Sequence, residues 1–378
     1  MVAFAGGGSG GHLYPALSVA YAMQDAYPGS RFVFFASERA IDARVLEGAN
    51  MRLVPQPVRP VRMQPWYWPG IVWSWRQSTR LCRSVFEELK PAVVFASGGF
   101  ASVPAVGVAR RMGIPVALFN PDAIPGRASR YLASKADRIF VQWPTTVERF
   151  RCSTPVQVTG CPVRAGFYTA SRNAGLRSFR LDSSKKTLLV TGASQGARAV
   201  NDMILATHTE LGSIPDWQIL HLTGERDYER VAAAHHASGL TGRVLAYTDE
   251  MPAALAVADL VVARAGASSL AEITAAGRAS ILVPYPHHRD QHQTANAEQL
   301  AHAGAARIVE ETGDTSADAA FVDVLLGLMK DQAQREQMGK AAARLGKPDA
   351  AEVLSRALLD LAGLCAHEQN PRSSEAAA

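Results

Sequence analysis

The segment Gly6 to Pro15 reads GGGSGGHLYP and directly follows a short apolar run, VAFA. Glycines at this density let a backbone bend sharply or pass very close to a partner. Three more stretches repeat the arrangement: ASGGFAS (96–102), VTGASQGARAVN (190–201) and ARAGASSLAEI (263–273). Each follows an apolar run and precedes a helical pattern, so each reads as strand, glycine turn and helix start. A helix amino terminus reached in this way presents unpaired N–H groups and the positive end of the helix dipole. That is an anion site made without lysine, suited to a diphosphate. His12 stands at the start of such a helix, where the dipole favours neutral imidazole, the form that accepts a proton.

The elements that must carry these turns are legible as alternation. RFVFFA (31–36), AVVFA (92–96), IPVALF (114–119) and RIFVQ (138–142) read as buried parallel strands separated by helical patterns. TLLVTG (187–192), WQILHL (217–222), DLVVAR (259–264) and SILVPY (280–285) repeat the scheme. The expectation is an α/β chain with two doubly wound parallel-sheet domains of Rossmann type, facing a cleft with phosphate-binding turns on both walls. The Gly-, Pro- and Ser-containing stretch 159–175 marks the boundary. We expect an N-terminal domain over 1–162 and a second over 163–345. A helix over 346–364 would pack back toward the first domain, followed by a disordered tail, 365–378.

Composition narrows the function classes. The 378 residues suffice for two cores, and 48% hydrophobic residues with 19% charged fit a globular protein. Residues 2–5 are too short for a signal peptide, and no run reaches the ~20 apolar residues of a membrane span. Cys82, Cys152, Cys161 and Cys365 lack metal or disulfide spacing. The net charge of +5 permits phosphorylated substrates or anionic lipid without demanding either. HHRDQH (287–292) has metal-ligating residue types without ligand spacing, so no metal is expected. His235 and His236 lie in a polar helical stretch and are expected to be solvated.

Gly6-x-Gly8-x-x-Gly11 formally matches the dinucleotide fingerprint, and VTGASQGA is similar to the cofactor loop of short-chain dehydrogenases. Their Tyr-x-x-x-Lys should follow downstream, whereas the spacing here, Tyr131 to Lys135, lies upstream. The order argues against hydride chemistry, and no cofactor is expected.

Six segments in order carry a family resemblance: GGSGGHLYPALSVA (7–20), SGGFAS (97–102), GCPVR (160–164), TGASQGARAVN (191–201), RAGASSLAEITAAG (264–277) and DQHQTANA (290–297). Up to about residue 364 the chain resembles the MurG family, inverting GT-B transferases that move N-acetylglucosamine from UDP-GlcNAc to undecaprenyl-pyrophosphoryl-MurNAc-pentapeptide in peptidoglycan synthesis. The resemblance implies that Ser9, Gly10 and Gly11 bound the diphosphate and sugar site, with His12 beside it. Ser194 would meet the diphosphate, Arg164 would be the nucleotide-binding arginine, and Thr248 would hold uracil through its main chain. Ala265, Gly266, Ala267, Ser268, Ser269 and Leu270 would pass under the ribose and phosphates. Glu272 would accept the ribose hydroxyl protons and Gln293 would bond the sugar hydroxyls. Two plainer readings stand beside these: Glu272 as a first-turn carboxylate favouring the helix dipole, and Arg164 as a surface linker residue.

Inverting transfer needs a base and stabilisation of the leaving UDP. His12 is the leading base, with Asp122 orienting it or acting directly. The family usually carries His-Glu-Gln-Asn where this chain has Phe119-Asn120-Pro121-Asp122, and Cys161 replaces an asparagine in GCPVR. These departures keep open a related GT-B lipid glycosyltransferase with another acceptor; a UDP-GlcNAc 2-epimerase of the same fold is the other alternative.

Between Arg59 and Arg83 lie Trp66, Trp68, Trp73 and Trp75, with arginines also at 62, 76 and 80. Aromatic residues amid arginines suit the headgroup boundary of an anionic bilayer. The expected partners are therefore UDP-GlcNAc, the polyprenyl-linked acceptor and an anionic membrane surface, with no nucleic acid. The expected location is peripheral, on the cytoplasmic face of the bacterial inner membrane.

Overall fold

A computed structural model describes residues 1–7, 10–60, 64–193, 196–286, 290–311 and 319–364. The chain forms two compact units. The first comprises Met1–Pro121, Pro125–Pro162 and the chain from Asp349 onward; the second comprises Asp122–Ile124 and Val163–Pro348. A single cut near residue 162 therefore misplaces Asp122–Ile124, which group with the later residues. The helix Ala350–Leu361 packs on the helix Gly10–Ala26 within the first unit.

The first unit holds a seven-stranded sheet: β1 (Val2–Ala5), β2 (Phe32–Ser37), β3 (Leu53–Gln56), β4 (Val93–Ala96), β5 (Val116–Asn120), β6 (Arg138–Val141) and β7 (Val156–Val158). Its order is β3-β2-β1-β4-β5-β6-β7, and its strand pairs are parallel. Both faces are buried, which is why β1 and β4 read as unbroken apolar runs. On one face Ala3, Val33, Phe35 and Val94 pack with Phe86. Phe4 alternates to the other face, stacked on Phe34 at 4.7 Å and edge-on to Phe95 at 5.6 Å. Burying each such ring contributes about 2–3 kcal/mol.

The second unit holds six parallel strands: β8 (Lys186–Thr191), β9 (Trp217–Leu222), β10 (Gly242–Leu245), β11 (Leu260–Ala263), β12 (Ser280–Leu282) and β13 (Ala306–Ile308). Their order is β10-β9-β8-β11-β12-β13. Leu188, Val190, Val262 and Ile281 form the core face with Phe321 and Leu325.

In both sheets the strand order reverses once, between β1 and β4 and between β8 and β11. At such a switch point the following connections diverge to opposite faces and leave a crevice at the carboxyl ends of the strands. The four glycine turns follow these four strands. Among the described residues no helix is long and apolar enough to cross a membrane.

Candidate functional site

In the first unit, the turns after β1 and β4 press against each other. A side chain at Gly6 would overlap Ser97 Oγ, so only glycine allows this approach. Gly98 and Gly99 have φ of 86° and 74°, a backbone that favours glycine. A Cβ at Gly99 would stand 3.3–3.4 Å from the ring of His12. That ring is half-buried beside the turn, and its Nδ1 lies 2.8 Å from the Ser97 carbonyl oxygen. A carbonyl only accepts, so Nδ1 carries the hydrogen and Nε2 of the neutral ring carries the lone pair. The Ser102 hydroxyl donates to the Gly99 carbonyl at 2.8 Å. Fully buried Gln56 donates to the Ala101 carbonyl at 2.9 Å and accepts the Cys82 thiol at 3.3 Å. Gln56 was not anticipated; a glutamine closing a short strand carries no distinctive pattern.

Gly10 and Gly11 open the helix Gly10–Ala26, as the turn motif implies. Ser9 and Ser194 lie outside the described residues, as do His287 and His288. Among the described residues no group of His, Cys, Asp and Glu has the geometry to hold a metal ion.

In the second unit, the turn after β8 is built in the same way. A Cβ at Gly192 would overlap the Ala197 backbone, and one at Gly196 the Thr223 carbonyl. Ala193 takes φ of 63° and Gly196 71°, closed by a hydrogen bond from Gly196 N–H to the Ala193 carbonyl. The turn after β11 passes buried Ala265 to Gly266, and the helix Ala267–Ala275 begins there with Ala267, Ser268 and Ser269. Leu270 is the first residue to bond back, to Gly266 at 3.0 Å.

Glu272 is the sixth residue of that helix, not a first-turn carboxylate, so the plainer dipole reading does not hold. Part of its surface reaches solvent, yet protein surrounds the carboxyl. Burial pushes that carboxyl up to about 7, against the opposing pull of the Arg164 guanidinium. Arg164 is half-buried and stacks over Phe167 at 5.2 Å, which places it in the fold rather than on a free linker.

Thr248 is half-buried, and its hydroxyl accepts the Glu250 N–H at 3.1 Å, fixing the local backbone. Gln293 accepts the Tyr285 N–H at 3.0 Å, which orients its amide so that the NH₂ group points to other partners.

Asp122 is held by a residue that sequence reasoning overlooked. The fully buried Asn296 accepts the Ala123 N–H at 2.7 Å. Its amide donates to Asp122 Oδ1 at 2.9 Å and to the Ala265 carbonyl at 3.3 Å. One side chain thus ties Asp122–Ile124 to the turn after β11. Asn296 stands inside the motif 290–297, and its signal was an amide flanked by alanines on a buried helix face.

His235 corrects an expectation. It is 6% exposed, contacts buried His221 and packs on His208, whereas His236 is exposed. Cys161 is a small buried residue.

The tryptophan segment also divides. Trp66, Trp68 and Trp73 are exposed by 73, 55 and 60%. Trp75 instead packs against the core of the first unit and donates its indole N–H to the Arg59 carbonyl at 2.9 Å. A groove of about 570 Å³ is lined by Ile71, Val72, Trp75, Arg76, Arg80 and Arg111.

Comparison with known proteins agrees along the whole chain. The glycosyltransferase family 28 N-terminal domain profile matches residues 2–141, and the C-terminal domain profile matches 187–354. A UDP-N-acetylglucosamine--N-acetylmuramyl-(pentapeptide) pyrophosphoryl-undecaprenol N-acetylglucosamine transferase of Sorangium cellulosum is 37% identical, over 96% of this chain and 88% of that protein. The Moorella thermoacetica protein of the same name is 35% identical over 95% and 98%. The crystal structure of Acinetobacter baumannii MurG superposes with a TM-score of 0.72 at 25% identity, over 95% of this chain and 99% of that one. A UDP-GlcNAc 2-epimerase from Neisseria meningitidis shares the fold at a TM-score of 0.67 with 14% identity, over 95% and 100%. Two GT-B-type parallel sheets and full-length relatives together place the chain in glycosyltransferase family 28, and within it in the MurG family.

Proposed function

We propose that this protein transfers N-acetylglucosamine from UDP-GlcNAc to the N-acetylmuramyl unit of pyrophosphoryl-undecaprenol-linked pentapeptide, converting lipid I to lipid II. The observation that carries this reading is the set of four glycine turns at the switch points of both sheets. It supplies anion-binding backbone on each unit of a chain whose 32–37% identical relatives bear this activity in their names.

In the mechanism, helix amino termini at Gly10–Gly11 and in the turn after β8 hold the diphosphate, with Arg164 in support. Glu272 accepts the ribose hydroxyls, the Thr248 backbone holds uracil, and Gln293 offers its NH₂ group to the sugar. His12 uses Nε2 to take the proton from the acceptor hydroxyl. That oxygen attacks the anomeric carbon as the bond to UDP breaks, inverting the centre. The same backbone dipoles stabilise the charge gathering on the leaving diphosphate. Asp122, pinned by Asn296, sits beside the donor turns and orients the acceptor or His12.

Attachment to the inner leaflet is peripheral. Trp66, Trp68 and Trp73 insert at the headgroup level while Arg76, Arg80 and Arg83 meet anionic lipid. The deciding experiment incubates the protein with UDP-GlcNAc and a short-chain polyprenyl-pyrophosphoryl-MurNAc-pentapeptide. Formation of the lipid-linked disaccharide is expected; epimerisation of UDP-GlcNAc alone, or transfer only to a different acceptor, would overturn the reading.

A further inference from the structure

His221 is the fifth residue of β9, wholly buried, and no step of the transfer uses it. Its hydrogen bonds nevertheless lead to the turn after β8. Nε2 lies 2.9 Å from Asn201 Oδ1, and Nδ1 lies 3.2 Å from His235 Nε2. The Asn201 amide nitrogen reaches the Thr223 carbonyl at 3.1 Å and the Asp227 carboxylate at 2.7 Å. Both of those are pure acceptors, so the amide orientation is settled and Oδ1 must receive. His221 Nε2 therefore carries the hydrogen, and Nδ1 of the neutral ring receives the Nε2–H of His235.

The network is anchored at both ends. Arg230 grips Asp227 at 2.7 and 2.8 Å and Asp202 at 2.6 Å, holding the carboxylate that Asn201 binds. The Thr223 carbonyl, the other acceptor of Asn201, is the atom against which Gly196 closes the turn, since a Cβ at Gly196 would overlap it. The path runs from buried ring to amide to carbonyl to phosphate turn. Burial, with help from neighbouring histidines, pushes His221 down to about 3 and His235 down to about 4, so both rings stay neutral near pH 7.

We propose that His221 is a positioning residue for the donor: as an Nε2–H donor it orients Asn201, which fixes the Thr223 carbonyl and with it the shape of the turn from Ala193 to Gly196. This rests on reading that turn as the diphosphate site. His221 touches no substrate; it acts through Asn201.

The test compares His221→Leu, which fills the volume without a donor, with His221→Gln, whose amide nitrogen reaches about as far as Nε2. UDP binding is measured by calorimetry, and KM for UDP-GlcNAc and kcat by steady-state assay. His221→Leu should weaken UDP binding and raise KM ten-fold or more with kcat within about three-fold, and His221→Gln should return KM to within about three-fold of the parent. Equal losses in both variants, or a loss confined to kcat, would overturn the proposal. Should His221→Leu fail to fold, His221→Asn, whose amide falls short of Asn201, replaces it with the same expected split. Gly196→Ala separates the two levels. If it leaves UDP binding intact, the turn is not the diphosphate site; if it abolishes binding while the His221 variants bind normally, only the positioning role fails.

Discussion

His12 gives its Nδ1 hydrogen to the Ser97 carbonyl at 2.8 Å, so the turn after β4 sets the tautomer of a histidine that follows β1. The consequence is a ring with its basic nitrogen at Nε2 in the neutral state. His12→Ala should lower turnover at least 100-fold and leave UDP-GlcNAc binding within about two-fold. His12→Asn keeps a donor for Ser97 and removes the basic nitrogen, so it should fold as the parent does and be equally inactive. Turnover near the parent value in either variant removes His12 from the role.

Asn296 satisfies three backbone or carboxylate partners at once. Asn296→Leu strands the Ala123 N–H and the Ala265 carbonyl, at a cost of about 2–4 kcal/mol. For a unit of this size the melting temperature should fall by about 5–10 °C. Calorimetric melting of the full chain checks this; an unchanged transition would mean that the tripeptide 122–124 is not needed there.

Glu272 couples stability to pH with a definite sign. The folded carboxyl is held up to about 7 against the usual 4.5, so between these values the folded chain keeps a proton that the unfolded chain has released. Stability therefore declines as pH rises through that window and levels off above it. Glu272→Gln should melt higher than the parent at pH 8, converge with it near pH 4.5, and bind UDP at least ten-fold more weakly. A variant less stable than the parent at pH 8 would contradict the buried-carboxyl account.

The tryptophans should separate by exposure. Replacing Trp66, Trp68 and Trp73 together by alanine should cut binding to anionic vesicles at least ten-fold in a flotation assay and shift melting by less than about 2 °C. Trp75→Ala should instead lower melting by several degrees, because its ring packs on the core and its N–H holds Arg59. Vesicle binding unaffected by the triple change would sink the membrane reading.

Density of apolar residues made the inner strands readable. β1, β4 and β5, or β8, β9 and β11, are flanked on both edges and covered on both faces, and their sequences say so. β3, β7, β10 and β13 escaped notice, and each is the outermost strand of its sheet. An edge strand has one neighbour and tolerates Pro55 in β3 or Gly242 in β10, which blur the pattern. The glycine turns were legible because close backbone approach excludes other residues. His235 and Asn296 were not, because a polar side chain on a helix is buried or solvated according to partners from distant segments, and no local pattern records them.

The chain passes between its two units at four places, around residues 121, 124, 162 and 348. Hybrid enzymes made by a single splice near 162 would leave Asn296 gripping a foreign tripeptide. A donor half exchanged between relatives should travel with its own Asp122–Ile124, and inheritance of donor preference in such hybrids should follow that graft rather than the splice alone.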